Sequence, residues 1–72
     1  GPYSPPMKVI VNGQEHDLPD GATVRALIER LGLANAACAA EVNKRLVPRR
    51  AQETTPLREG DRVEVVSLVG GG

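Results

Sequence analysis

Apolar residues recur along this chain with two different periods, and the change of period separates one helix from the strands around it. Four apolar residues are spaced at i, i+3, i+4 and i+7, which places them on one helical face: Val24, Leu27, Ile28 and Leu31. Thr23 precedes this run as a candidate N-cap, and Gly32 follows it as a candidate left-handed residue. The pattern predicts one short amphipathic helix that requires a sheet to pack on.

The β-branched content of residues 7–12 and the apolar run at residues 62–68 predict a first and a last strand. Residues 14–18 are expected to return from the first strand, and residues 39–43 and 45–47 are interpreted as a third and a fourth strand. Asn12-Gly13 is typical of a two-residue hairpin turn, and Asn43-Lys44 suits a second turn. Pro48 ends the fourth strand because proline cannot donate to a ladder. Residues 34–38 are compatible with either a helical extension or a loop, and residues 49–56 are polar and irregular.

The order strand, strand, helix, strand, strand, strand predicts an α+β roll. We expect a mixed sheet of about five strands with one main helix on one face, and the last strand beside the first. Residues 7–67 would form this single domain. Residues 1–6 are interpreted as a tag remnant or disordered extension, and residues 68–72 as a flexible tail.

Composition narrows the possible functions. The 72 residues include nine basic and nine acidic side chains and one aromatic residue, so a nucleic-acid partner is disfavoured. No apolar run approaches the roughly 20 residues that span a bilayer, so we expect no membrane association. A single cysteine cannot form an internal disulfide, which favours a reducing compartment and predicts a cytoplasmic protein.

The usual catalytic and metal-binding sets are absent from the sequence, which favours a protein that is not an enzyme. His16 is the single histidine and is interpreted as an ordinary strand residue, with no metal site around it. Cys38 lies among alanines, which favours a small buried hydrophobic residue over a reactive thiol. Arg49 and Arg50 indicate either a solvated loop or a contact to an acidic partner surface.

The last predicted strand changes phase near its end. Val63 and Val65 alternate with polar neighbours, whereas Val66 and Leu68 fall on the opposite face. Either a bulge shifts the phase or these two side chains are exposed, and an exposed apolar patch often marks an interface. We therefore predict that a partner docks on Val66, Leu68 and Val69.

The chain ends in three glycines. Because glycine lacks a Cβ, such a segment can pass through a channel too narrow for side chains. Gly70 and Gly71 are predicted to thread into a partner enzyme. The α-carboxylate of Gly72 would then be the reacting group, since adenylation makes a carboxylate open to attack by sulfur or nitrogen.

These features together resemble the ThiS family of sulfur carriers from thiamine biosynthesis, which have a β-grasp, ubiquitin-like fold. The similar segments are MKVIVNG at 7–13, VN at 42–43, VPR at 47–49, GDRVEVV at 60–66 and VGGG at 69–72. The glycine end at this distance from Gly60-Asp61 is the most specific of them. One departure is the absence of tryptophan at residues 50–54, where many family members carry one.

The resemblance implies a carrier that is acted on by other enzymes. An E1-like adenylating enzyme would use ATP to activate Gly72, and this chain would bind no cofactor itself. A persulfide donor protein would supply sulfur to form a Gly72 thiocarboxylate, and a synthase such as thiazole synthase would accept it. The alternatives are a carrier for molybdopterin, tRNA thiolation, cysteine or a secondary metabolite, a ubiquitin-like protein modifier, or an interaction module with an unused tail.

Overall fold

The computed structural model of this chain describes residues 6–34 and 36–68. It contains β1 (Met7–Val11), β2 (Gln14–Leu18), α1 (Val24–Arg30), β3 (Cys38–Val42), β4 (Arg45–Val47), a 3₁₀ helix (Arg49–Ala51) and β5 (Arg62–Ser67). The predicted order of strands and helix is confirmed. The predicted ends were wrong by one residue in three strands, since β1 and β5 stop one residue earlier and β3 is displaced by one. The predictions for residues 1–5 and 69–72 lie outside the described residues.

One five-stranded sheet with the order β2-β1-β5-β3-β4 organises the molecule. β5 pairs parallel with β1 and antiparallel with β3, so the last strand is central and adjoins the first, as predicted. Asn12 and Gly13 join β1 to β2 with φ values of 49° and 83°. Asn43 and Lys44 join β3 to β4 with φ values of 51° and 71°. Positive φ at both central residues is the conformation of a type I′ hairpin turn, so both predicted turns are present.

Both predicted caps of α1 are confirmed. The side chain of Thr23 accepts a hydrogen bond from the backbone N–H of Ala26 at 3.2 Å. At the other end Gly32 has a φ of 79° and donates to the Glu29 carbonyl at 3.0 Å. Leu33 donates to the Ile28 carbonyl at 3.1 Å. These two bonds form a Schellman motif, which requires the left-handed conformation that glycine adopts at little cost.

The core lies between α1 and one face of the sheet, the covered face. Val24, Leu27 and Ile28 are fully buried, and Leu31 packs against them while partly exposed. The strands contribute alternate residues: Met7, Val9, Val11, Leu18, Cys38, Ala40, Val47, Val63 and Val65. The opposite sheet face, the open face, has no helix over it among the described residues.

The segment between β4 and β5 is ordered by its contact with the helix start. The expectation of an irregular loop was wrong for residues 49–51, which form the 3₁₀ helix. The Thr55 carbonyl accepts from Val24 N–H at 3.0 Å, and the Gln52 carbonyl accepts from Arg25 N–H at 2.9 Å. Together with Thr23, this capping loop (residues 48–57) satisfies the first three N–H groups of α1, which have no partner inside the helix.

Two side chains anchor the capping loop in the core. Leu57 is buried and packs in the core. Gln52 is the one buried polar residue in the part of the chain that the structure describes. Its side-chain amide donates to the Cys38 carbonyl at 3.1 Å, so its burial is matched by a hydrogen bond.

Candidate functional site

The backbone of β5 has bonded neighbours on both sides at its start and on the β3 side alone at its end. β5 pairs with β1 at its start and with β3 along its whole length, from Val42 opposite Val63 to Cys38 opposite Ser67. One residue further, Leu68 N–H donates to the Ala37 carbonyl at 2.7 Å. The described part of the chain is therefore hydrogen-bonded up to Leu68.

The side chain of Asn12 continues the pairing of β5 where β1 turns away. Its Oδ1 accepts from Val65 N–H at 2.9 Å, and its Nδ2 donates to the Val65 carbonyl at 3.1 Å. The amide thus replaces one residue of a neighbouring strand. Asn43 acts similarly at the start of β5, because its Oδ1 accepts from Arg62 N–H at 3.0 Å. Sequence reasoning assigned both asparagines to turns only, and no local signal indicates their second contact.

Val66 and Leu68 are exposed on the open face, by 58% and 55% respectively. The bulge alternative is wrong because the register of β5 with β3 is continuous from Val63 to Ser67. The two side chains form the tail-root patch, defined here as Val66 and Leu68. The other predicted site residues, Val69, Gly70, Gly71 and Gly72, lie outside the described residues.

Leu46 is a third exposed apolar side chain on the open face, and sequence reasoning missed it. It is 65% exposed and lies on β4 opposite Glu41. The signal was present, since Leu46 occupies the outward position of a predicted strand between Arg45 and the buried Val47. Leu46 and the tail-root patch lie on the same face, with β3 between them.

Most other residues of the open face are charged, although the half-buried Ile10 and Ala39 also lie there. On β1 the Lys8 ammonium lies 3.0 Å from an Asp17 carboxylate oxygen and 3.6 Å from one of Glu15. The hydrogen bond and charge of Asp17, followed by the charge of Glu15, raise the pKa of Lys8 above its ordinary value. Glu41 and Glu64 lie directly opposite each other on β3 and β5, and like charges in such a pair cost stability.

The remaining candidate residues do not assemble a reactive site in the described part of the chain. Cys38 is a buried free cysteine in β3, in agreement with its interpretation as a small core residue. His16 is half-buried on β2 opposite Val9. Within residues 6–34 and 36–68, no three potential ligands cluster as a metal site would require. No helix in these residues combines the length and apolar character needed to cross a bilayer.

Comparison with solved structures defines the class of fold. The chain superposes on the crystal structure of a thiamine biosynthesis protein (ThiS) from Geobacter metallireducens with a TM-score of 0.75 and 30% identity. The match covers 92% of this chain and all of that one. The mixed five-stranded sheet with one helix is therefore a β-grasp fold, as predicted.

Comparison of sequences identifies the family. The sequence model of the ThiS family matches residues 7–72, and the chain belongs to that family. It is 29% identical to the sulfur carrier protein ThiS of Escherichia coli, over 92% of this chain and all of that protein. It is 35% identical to a thiazole synthase of Paramagnetospirillum magneticum over 92% of this chain. The chain spans about a fifth (20%) of that relative's length.

Proposed function

We propose that this protein is a sulfur carrier whose Gly72 carboxylate is converted to a thiocarboxylate, and that the sulfur is destined for the thiazole of thiamine. The observation that carries the proposal is the match to the ThiS family through residue 72, on the fold of a solved ThiS protein. The fixed end of β5 supports it, because a tail that starts from a defined direction presents its end reproducibly to an enzyme.

The proposed chemistry takes place on partner enzymes. An E1-like adenylating enzyme joins the Gly72 carboxylate to ATP, which forms an acyl-adenylate and releases pyrophosphate. The terminal sulfur of a persulfide on a donor protein attacks the acyl carbon, and AMP leaves. A second thiol attacks the donor's sulfur in the resulting acyl disulfide and forms a new disulfide with it, which releases the thiocarboxylate on Gly72. This chain contributes position and access, with Gly70 and Gly71 passing through the enzyme's channel.

Thiazole synthase is the acceptor that the comparisons favour. The relative from Paramagnetospirillum magneticum, which is named thiazole synthase, contains a segment similar to 92% of this chain within a polypeptide about five times longer. Joining two modules in one polypeptide raises their effective concentration, as is expected for parts that act together. We therefore propose that this chain passes its sulfur to a synthase of the same kind, within the cytoplasm.

The decisive experiment varies the length of the tail. The full chain, a chain lacking Gly72 and a chain with one alanine added after Gly72 are each incubated with the cognate adenylating enzyme and ATP. Each change moves the carboxylate by about 3.3–3.6 Å at full extension, and a displacement near 1 Å can cost about a hundredfold in rate. We expect pyrophosphate release to fall at least about a hundredfold in both variants, with unchanged melting temperatures.

Mass spectrometry of the protein isolated from cells identifies the product. Replacement of one oxygen by sulfur on the full chain is the expected result. A chain lacking Gly72 that is activated as fast as the full chain would refute the carrier function. An adduct joined to lysine of another protein, without any thiocarboxylate, would identify a protein modifier instead.

The tail-root patch is the proposed docking surface, together with Val69. Leu68→Ser should raise KM for the adenylating enzyme by about tenfold, which corresponds to about 1.4 kcal/mol, a moderate loss for an apolar interface residue. Leu46→Ser is the matched control, because it is the same substitution at a similarly exposed site two strands away. Equal losses in both variants would show that docking is not centred on the tail root.

Cys38 provides a test of where the sulfur is held. Cys38→Ser should still accept sulfur at Gly72, because the Cys38 thiol is buried in the core and away from solvent. Unchanged thiocarboxylate formation is the expected result. A folded variant that no longer accepts sulfur would assign the covalent step to the thiol.

A further inference from the structure

A positively charged cleft lies between the start of α1 and the capping loop, on the helix side of the sheet. Its volume is about 370 Å³ and it is lined by Arg25, Arg49, Arg50, Gln52 and Glu53. This volume is within the range of about 300–1,000 Å³ typical of ligand sites. Three guanidinium groups and one carboxylate therefore share one concave surface.

The walls of the cleft are fixed relative to each other. Gln52 ties the capping loop to β3 through its side chain and to α1 through its carbonyl. The Arg25 guanidinium is positioned on the helix side, where its Nε donates to Glu29 at 3.3 Å and a terminal nitrogen donates to the Ala34 carbonyl at 3.2 Å. Preorganised walls lose little entropy when a ligand binds.

The cations of the capping loop have unused binding capacity. Among the described residues, the ion pairs within 4.0 Å involve Lys8 and Arg25 but neither Arg49 nor Arg50. The backbone N–H groups at the start of α1 are already bonded to Gln52 and Thr55, so they add nothing to the cleft. Any ligand is therefore held by the arginine side chains, whose planar forks suit carboxylates and phosphates.

The Glu53 carboxylate in the lining favours a ligand with carboxylates over a phosphate ion. A dianionic phosphate placed among the arginines would also face the Glu53 carboxylate, and like charges repel. A protein segment can instead place separate carboxylates against Arg49 and Arg50 and a donor group against Glu53. The mixed charge of the lining thus favours a polypeptide over a small anion.

We propose that this cleft is a second interaction surface, which takes an acidic segment of a partner protein. It lies on the side of α1, whereas the tail-root patch lies on the open face of the sheet. An acidic segment can bind there while the tail is engaged elsewhere. The inference stands on the cleft alone and does not require that Gly72 carries sulfur.

The probe is a synthetic eight-residue peptide of alternating glutamate and serine, titrated into the full-length ¹⁵N-labelled chain at low and at physiological salt. We expect saturable shifts in the backbone amides of residues 49–53 and in the Nε–H of Arg25. The double variant Arg49→Gln/Arg50→Gln should weaken binding at least about tenfold, since charge-assisted hydrogen bonds to two arginines are lost.

The matched control is Arg45→Gln/Arg58→Gln, which removes the same charge from exposed positions outside the cleft. At physiological salt its affinity should change less than about twofold, because neither residue lines the cleft and salt screens exposed charges that do not contact the ligand. Arg49→Lys/Arg50→Lys keeps both positive charges but loses the planar guanidinium groups. Its affinity for the peptide should therefore lie between those of the two glutamine double variants. Equal weakening by both glutamine pairs, or shifts spread over all arginines, would overturn the proposal. So would inorganic phosphate that shifts the same amides at lower concentration than the peptide.

Discussion

The two faces of the sheet differ in what their side chains contribute, although the same strands supply both. On the covered face, Val63 and Val65 are buried against α1. On the open face the next residue of β5, Val66, is exposed beside an opposed pair of glutamates, Glu41 and Glu64. The opposed glutamates cost stability, because like charges directly across two strands repel each other. The covered face therefore holds the buried apolar core, whereas the open face leaves apolar side chains exposed to solvent.

The largest expected contrast is between two leucines. Leu27→Ala empties a fully buried site and should cost about 2–5 kcal/mol, a large share of the stability of so small a domain. Leu46→Ala makes the same change on the open face and should alter the free energy of unfolding by less than about 0.5 kcal/mol. Urea denaturation of both variants measures the difference. Similar losses would mean that the two faces do not divide stability in this way.

A smaller effect is expected from the capping loop, which completes the covered side. Gln52→Ala removes a buried donor and should cost about 1–3 kcal/mol. Hydrogen exchange at the Val24 and Arg25 amides should accelerate, because the carbonyls that cap them are no longer anchored. Gln14→Ala, at an exposed position on β2, is the control and should change neither quantity. If hydrogen exchange at these two amides is unaltered in Gln52→Ala, the capping of α1 does not depend on the anchoring of the loop by the Gln52 side chain.

The smallest effect concerns the ion pairs of the open face. Asp17→Asn should lower the pKa of Lys8 towards its ordinary value, and Glu15→Gln should lower it less, because Asp17 is the larger cause. NMR titration of the lysine side chain measures both. Because the folded pKa is raised, the linked stabilisation is present below the ordinary value of 10.5 and is lost as pH rises through the folded pKa. If Glu15→Gln lowers the pKa of Lys8 more than Asp17→Asn does, then Glu15 is the larger cause of the raised pKa.

Local patterns in the sequence predicted the elements but not the contacts between distant segments. The i, i+3, i+4, i+7 spacing, Thr23 and Gly32 defined α1, since each acts within a few residues. By contrast, the sequence indicated only a polar, irregular segment around Gln52, and its order depends on contacts with α1 and β3, which are distant in sequence. Asn12 likewise met the requirement of a turn, and its second role depends on Val65, 53 residues away.

The candidate site was also predicted in part from local sequence patterns and in part decided by contacts between distant strands. The sequence identified the phase change at Val66 and Leu68 and the glycines that follow, because these features lie side by side in the chain. It left the choice between a bulge and an exposed patch open. The register of β5 with β3 decided for exposure, since a continuous ladder fixes which face each residue occupies.

The sequence by itself determined the period, caps and turns of each element, and with them the order of a β-grasp fold and the ThiS resemblance. The tertiary structure alone decided that Leu46 and the tail-root patch share one face. It also decided that Arg25 meets the capping-loop arginines across a cleft. The physical reason is that periodicity and capping arise from neighbours along the chain, whereas shared faces and clefts arise from the packing of strands and loops that are far apart in sequence.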